Sequence, residues 1–251
     1  MITEYHRPKT IQEALKLLAR PGPTTWPLGG GSYLNQPSKE SFAVVDLQGL
    51  GLDQTHDRGN FLEVGAAATL ATLLDTPRLQ PALTRAIRHE TAHNLRQVGT
   101  VAGTLLAATG RSPFTTVFLA LDARLTVLPG DETLDLGDLL PIRQEVLPGR
   151  LVTIVTIPLN ADLAYEFVAR SPADQPLVCV AAARWPSGRT RVALGGCGKA
   201  PLLAFDGTEA DGAEIAARDA YHAAQDEWAS AEYRREIAGI LTRRCLAELQ
   251  R

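Results

Sequence analysis

Apolar residues recur every three or four positions near the start of the chain. Thr10 and Glu13 stand at the spacing of a capping box, in which two side chains satisfy free backbone N–H groups at a helix start. Gly22 and Pro23 follow and end the pattern. This pattern predicts an amphipathic helix with one buried face. Its periodic positions are Ile11, Ala14, Leu15, Leu17 and Leu18.

Strand-like stretches alternate with helical patterns along the rest of the chain. The stretch richest in β-branched residues is 151–157, which Pro158 closes. The turn 186–188 separates two further stretches and predicts a hairpin. Two strand–helix blocks followed by a hairpin and helices predict an α+β fold, since a doubly wound sheet alternates more regularly. The other predicted strands cover 43–47, 61–66, 124–128, 165–170, 178–185 and 190–194, and the other predicted helices cover 70–74, 81–94, 113–123 and 230–249.

Two loops are rich in small residues. The first, Gly29–Ser32, contains three consecutive glycines, and the second is Gly99–Thr104. Glycine lets the backbone approach a ligand closely, so that successive N–H groups form a nest around phosphate oxygens. Either loop by itself is equally consistent with an ordinary glycine turn, and neither contains G-x-G-x-x-G after a strand. As a pair, they are typical of loops that hold the two phosphates of a dinucleotide from opposite sides.

Composition and charge exclude several classes of function. The chain has 251 residues and a formal net charge of −3, which provides no field to attract nucleic acid or an anionic membrane. No apolar run approaches the ~18–20 residues that span a bilayer. Because the start of the chain lacks the apolar segment of a signal peptide, we expect a cytoplasmic protein.

The cysteines are few and scattered. Cys179, Cys197 and Cys245 form no C-x-x-C pair, so a disulfide framework, a zinc ribbon and an iron–sulfur cluster held within this chain are not expected. Each cysteine is expected to pack as a small apolar residue. If the protein handles electrons, its own sulfur does not carry them.

His89, Glu90 and His93 match the pattern H-E-x-x-H literally. In that pattern two histidines on one helix face bind zinc, and the glutamate acts as general base. A catalytic zinc site needs a third protein ligand, and residues 94–121 contain no His, Asp or Glu. Asp122 and Glu132 are the remaining candidates for that ligand. A zinc hydrolase is therefore a remote alternative to a phosphate-binding protein.

The two loops also carry recognisable motifs. The segment from Pro27 to Leu34 is similar to A-G-G-(T/Q)-(S/D)-L, and the segment from Leu95 to Thr104 is similar to I-R-N-x-(G/A)-T-x-G-G-N. Leu119–Ala123 repeats L-A-L-D-A. Together these motifs resemble the flavoprotein subunits of molybdenum hydroxylases, a family that includes the medium subunit of aerobic carbon monoxide dehydrogenase and the flavin domain of xanthine dehydrogenase. Further similar segments are Ala193–Gly196 and Glu232–Arg235, in the order of the family.

The resemblance implies a fold and a cofactor. It implies an α+β chain with a two-subdomain FAD-binding region over residues 1–160 and a smaller α/β C-terminal domain over 161–251. It also implies FAD between these parts, with its pyrophosphate held by the two loops, and neither a catalytic side chain nor a metal ligand in this chain. The implied FAD-binding residues are Leu28, Gly29, Gly30, Gly31, Ser32, Tyr33, Leu34, Gly99, Thr100, Ala102, Gly103 and Thr104.

The same resemblance implies a role in electron transfer. A molybdopterin-binding large subunit oxidises the substrate, a small subunit with 2Fe-2S clusters receives the electrons, and FAD passes them to an external acceptor. The protein is then an oxidoreductase subunit, expected in a dimer of heterotrimers, with no nucleic-acid partner and no membrane span.

Several positions depart from the family pattern. Ala102 and Thr104 replace a glycine and an asparagine of the second loop. A methyl group at Ala102 would cost roughly 1–2 kcal/mol if this position required a left-handed backbone. Residues 110–116 lack the family's Asp, and Phe167 replaces a Lys. The alternative to a flavoprotein is therefore a degenerate member that acts as a structural subunit without FAD.

Overall fold

The computed structural model describes residues 1–35 and 40–250 of the chain. Within them the strands form sheets of three, five and four strands, and helices pack on each sheet. This combination of one parallel sheet, two antiparallel sheets and helices confirms the predicted α+β class. No helix in the described part of the chain is long and apolar enough to cross a bilayer.

The N-terminal sheet is parallel, and its central strand is β3, which pairs with both β1 and β2. The predicted capping box forms at the start of α1, where Thr10 Oγ1 accepts from the N–H of Glu13 at 3.2 Å. Ala14 and Leu18 are buried on the face of α1 that packs against Val45. The carboxyl ends of the three strands meet at one edge, and β2 leads there directly into the first glycine loop. The elements are β1 (Ile2–His6), α1 (Ile11–Leu18), β2 (Thr25–Leu28) and β3 (Phe42–Asp46).

The five-stranded sheet is antiparallel throughout, in the order β4-β5-β8-β6-β7. Its central strand β8 contains the predicted β-branched stretch. Alternate residues such as Leu62, Val64, Leu125 and Val127 point into the main apolar core, as period-two alternation requires. The strands are β4 (Thr55–Asp57), β5 (Phe61–Gly65), β6 (Arg124–Leu128), β7 (Glu132–Asp135) and β8 (Leu151–Pro158).

Helices cover the core face of this sheet. One predicted helix is shorter than expected, because α3 ends at Glu90 and Thr91 is extended before the next helix begins. Another helix, α7, contains Pro141 and was not among the predicted elements. The helices are α2 (Leu70–Leu74), α3 (Pro81–Glu90), α4 (His93–Arg96), α5 (Val101–Ala107), α6 (Pro113–Ala120) and α7 (Leu136–Val146).

The C-terminal sheet, in the order β12-β11-β10-β9, is buried on both faces. On β10, Cys179 and Ala181 face the main core with α3 and α6, whereas Val180 and Ala182 face α8 and α9. Burial raises the pKa of the Cys179 thiol to about 12, so this cysteine packs as a small apolar residue. The elements are β9 (Asp162–Val168), β10 (Val178–Arg184), β11 (Thr190–Gly195), β12 (Leu202–Gly207), α8 (Ala213–Ala220) and α9 (Ala231–Glu248).

The predicted domain boundary between residues 160 and 161 falls in the turn between β8 and β9. One apolar core extends across it, since Leu62 and Leu125 share that core with Tyr165 and Cys179. The division into two domains stays a prediction.

Candidate functional site

The first glycine loop leaves β2 and turns sharply. Gly31 has a φ of +71°, a left-handed conformation that favours glycine, and its carbonyl accepts from the N–H of Asn35 at 3.0 Å. Ser32 and Tyr33 are exposed. Among the residues that the structure describes, no protein acceptor binds the backbone N–H groups of Gly30, Gly31, Ser32 or Tyr33. The loop therefore presents consecutive donors to an incoming group.

The second loop is held in place by the segment that precedes α2. The N–H of Leu70 donates to the Gly99 carbonyl at 2.9 Å, and the N–H of Val101 donates to the Ala68 carbonyl at 2.8 Å. Thr100 is the N-cap of α5, because its Oγ1 accepts from the N–H of Gly103 at 3.2 Å. These bonds fix the loop as a rigid turn between α4 and α5.

The structure brings the two loops into direct contact. A Cβ atom placed on Gly30 would stand 1.4 Å from the Val98 carbonyl oxygen, and one placed on Gly29 would stand 2.7 Å from Thr100 Oγ1. Only glycine permits this approach, because any side chain would separate the loops. The structure thus places two loops that are distant in sequence side by side, and their role as FAD-binding loops stays a prediction.

The two departures in the second loop have a structural explanation. Ala102 lies in the right-handed helix α5 and is buried in the main core, so its methyl group does not incur the cost of a left-handed backbone. The Thr104 hydroxyl donates to the Thr100 carbonyl at 2.8 Å. Both residues support α5, and neither strains the loop.

Arg143, which the sequence patterns did not single out, borders the same region. Its guanidinium donates to the carbonyls of Leu106 and Ala108 at 2.9 Å each, at the end of α5, and to that of Lys199 at 3.3 Å. The pKa of Arg143 is lowered, because the effect of burial exceeds the opposite effect of the nearby Tyr33 side chain. No local sequence pattern identifies it, because its carbonyl partners come from segments that are distant in the chain.

The H-E-x-x-H segment does not form a zinc site. Helix α3 ends at Glu90 and Thr91 is extended, so His89 and His93 do not share one helix face. His89 lies between the Tyr165 hydroxyl, 3.0 Å from Nδ1, and the Asp174 carbonyl, 2.9 Å from Nε2. Burial lowers the pKa of this histidine.

The expected general base and the two candidate third ligands are also engaged elsewhere. The Glu90 carboxylate accepts from Ser112 Oγ at 2.8 Å and from the N–H of Phe114 at 2.9 Å, so it caps the start of α6. Asp122 pairs with two arginines, and Glu132 pairs with Arg150 at 2.6 Å. In the described part of the chain no three His, Cys, Asp or Glu side chains are placed to share a metal ion. The zinc-hydrolase alternative is therefore wrong, because His89 and Glu90 of the motif join elements of the fold.

Known proteins resemble this chain over its whole length. Residues 1–160 match the profile of a family described as "FAD binding domain in molybdopterin dehydrogenase". The uncharacterized Escherichia coli K12 protein YgfM is 29% identical over 100% of this chain and 97% of its own length. The carbon monoxide dehydrogenase medium chain of Afipia carboxidovorans is 27% identical over 97% of this chain and 95% of its own. A chain of the reconstituted CO dehydrogenase from Oligotropha carboxidovorans, 24% identical, superposes with a TM-score of 0.82 over 98% of this chain and 96% of its own, and thus shares the fold.

Proposed function

Because this chain belongs to the family of FAD-binding domains of molybdopterin dehydrogenases, we propose that it binds FAD as the flavoprotein component of an oxidoreductase complex. The observation that carries the proposal is the contact between the two loops at Gly30 and Val98. It sets a run of unpartnered N–H groups beside the rigid turn of the second loop, where a diphosphate would be held from two sides.

The donor set fits the diphosphate of FAD. The N–H groups from Gly30 to Tyr33 are donors without protein acceptors among the described residues, and the Ser32 hydroxyl adds another donor. A negatively charged group that accepts these hydrogen bonds gains more than a neutral one. The proposed binding residues are those predicted from the two loops, with Ala102 contributing through the helix that it helps to bury. They are Leu28 to Leu34, Gly99, Thr100, Ala102, Gly103 and Thr104.

The chain's own residues bind and orient rather than react. FAD, when bound, supplies the redox chemistry by accepting electrons and passing them on. The loops fix the cofactor's phosphates, and α5, whose buried face packs in the main core, supports the second loop. We assign no acid, base or nucleophile to a side chain of this protein.

The proposal extends to partners. A molybdopterin-binding large subunit would pass electrons to a small subunit with 2Fe-2S clusters, and that subunit would pass them to FAD in this chain. From FAD the electrons would leave to an external acceptor. The three subunits would assemble as a dimer of heterotrimers. A relative that is named a medium chain of carbon monoxide dehydrogenase supports such a complex. The absence of C-x-x-C pairs in this chain is consistent with clusters held by a partner.

The variant Gly30→Ala tests the site. We expect the wild-type chain to retain FAD, which absorbs visible light and is released on denaturation, and the variant to lose it. The reason is that the added methyl group meets the Val98 carbonyl and forces the loops apart. The measurement is the flavin absorbance that remains with the protein after gel filtration.

Gly22→Ala is the matched control, because a Cβ atom at Gly22 meets no atom within 4 Å. FAD retention by Gly30→Ala at the wild-type level would show that the loop assignment is wrong. A colourless wild-type chain that still copurifies with a molybdenum subunit would favour the alternative, a structural subunit without FAD.

A further inference from the structure

Among the described residues, Arg143 is a cation that binds backbone carbonyl groups and no side chain. Its Nε donates to Leu106, its Nη2 to Ala108 and Lys199, and its Nη1 to Leu140. No carboxylate of the described residues forms an ion pair with it. The guanidinium is always charged in proteins, so the positive charge at this point is not compensated by a neighbouring acid.

The carbonyl partners fix this charge in space. They come from three separate segments: the end of α5, the middle of α7 and the segment that follows β11. A planar group held by several hydrogen bonds cannot swing into solvent to be neutralised there, so its orientation is set before any ligand arrives. Arg143 is half-buried, which strengthens its electrostatic effect relative to that of an exposed arginine.

The location of Arg143 connects it to both loops. Helix α5 begins at the second loop and ends at the carbonyls that Arg143 holds. Tyr33, in the first loop, lies close enough to the guanidinium to influence it. The stretch from residue 94 to residue 121, which contains the second loop, holds Arg96 and Arg111 and no Asp or Glu. No acidic residue in that stretch cancels the field of Arg143.

We propose that Arg143 is a positioning residue of the FAD site, which holds the end of α5 in place and supplies a fixed positive charge that stabilises the anionic cofactor. This inference rests on the proposed function. A positive charge near the cofactor favours its negatively charged phosphates and favours the electron-rich reduced flavin over the oxidised flavin. Arg143 therefore raises both the affinity for FAD and the reduction potential of the bound flavin.

The experiment compares four forms of this 251-residue chain: wild type, Arg143→Gln, Arg143→Lys and Arg244→Gln. The last is the matched control, because Arg244 is an exposed arginine on α9 without an ion pair among the described residues. Each form is stripped of flavin and titrated with FAD, and Kd is obtained from the quenching of flavin fluorescence. The reduction potential of the bound flavin is then measured by equilibration with a reference dye.

We expect Arg143→Gln to weaken FAD binding about tenfold or more and to lower the flavin potential. Arg143→Lys keeps the charge but not the planar fork, so it restores the potential while the affinity stays reduced. Arg244→Gln leaves both quantities unchanged. Thermal unfolding of each form tests whether it is folded. If Arg143→Gln does not fold, the affinity and potential of Arg143→Lys decide the inference.

Three other results overturn the inference. Unchanged affinity and potential in Arg143→Gln, with FAD bound to the wild type, would refute it and leave the proposed function intact. Equal loss of affinity in both Arg143 variants with an unchanged potential in both would show that the residue only supports the fold. A wild-type chain that binds no FAD would refute the proposed function and this inference together.

Discussion

Gly30 lies so close to the second loop that a Cβ atom on it would stand 1.4 Å from the Val98 carbonyl oxygen. Here the absence of a side chain has a physical purpose, since two backbones pass where only hydrogen atoms fit. Ala102 is the opposite case, because its right-handed helical backbone accepts a methyl group that then packs in the core. Side chains added in the two loop motifs therefore have different consequences, which depend on the neighbours of each residue.

His89 illustrates how a motif residue serves the fold. It packs against the Phe167 ring, with a distance of 4.0 Å between ring centroids, and joins α3 to Tyr165 and to the Asp174 carbonyl in the β9–β10 loop. Because burial lowers the pKa of His89, the neutral ring is the form that the folded state prefers.

We predict that His89 makes the protein less stable in mild acid. The pKa of His89 is lower in the folded chain than in the unfolded chain, so its stabilising contribution is complete above about pH 6.5 and is lost as the pH falls through the folded-state value. The unfolding free energy of the wild type should therefore fall more steeply than that of His89→Gln between about pH 7.5 and about pH 5.5. Urea unfolding of both proteins at each pH measures this free energy.

His93→Gln is the control for this prediction, since His93 belongs to the same motif but is exposed. Its pH dependence should follow that of the wild type. Equal slopes for the wild type and His89→Gln would contradict the prediction.

Helix α5 is the element that joins the second loop to the rest of the molecule. It has only seven residues, too few to be stable alone, so its ends must be held by other groups. The Thr100 side chain caps its start, the Gly99 carbonyl binds the N–H of Leu70, and Arg143 binds its last carbonyls. The position of the second loop thus depends on contacts at both ends of this short helix.

We predict that Thr100→Ala lowers the unfolding free energy by about 1 kcal/mol, because the N–H of Gly103 loses its acceptor. Thr100→Ser retains the hydroxyl oxygen, so its unfolding free energy should fall much less. The two variants are compared by urea unfolding under identical conditions. A serine variant as unstable as the alanine variant would indicate that the methyl group of Thr100, and not its hydroxyl, is responsible.

At the scale of the whole molecule, a buried arginine joins the C-terminal helices to the sheet. Arg234 on α9 is fully buried, and its Nη2 binds both carboxylate oxygens of Asp226 at 2.8 and 2.9 Å. It also donates to the carbonyls of Leu177 and Gly196, which flank β10 and β11. Arg234, in the Glu232–Arg235 segment, therefore has a structural role, and its charge is both paired and hydrogen-bonded.

We predict that Arg234→Ala lowers the unfolding free energy by about 3–5 kcal/mol, since it leaves a cavity and several carbonyls without their donor. Arg235→Ala is the matched control. Arg235 is half-exposed and lies 3.9 Å from Asp219, so its loss should change stability by no more than about 0.5 kcal/mol. Thermal and urea unfolding of both variants test this, and similar losses in the two would be evidence against the role assigned to Arg234.

The sequence by itself determined the α+β class, the capped first helix, the β-branched central strand and both glycine loops. These features follow from local rules, since hydrophobic period, capping spacing and glycine content act over a few neighbouring residues. The family resemblance rests on the same local motifs.

Only the tertiary structure decided how distant residues meet. It placed Gly30 against Val98, ended α3 at Glu90 and bound that carboxylate to the start of α6. It also placed Arg143 between α5 and the segment after β11. No local pattern contains these contacts, because each depends on which surfaces the sheets and helices bury against one another. For the same reason His89 and Glu90 of a literal H-E-x-x-H motif became structural contacts, whereas two glycine turns far apart in the chain came into direct contact.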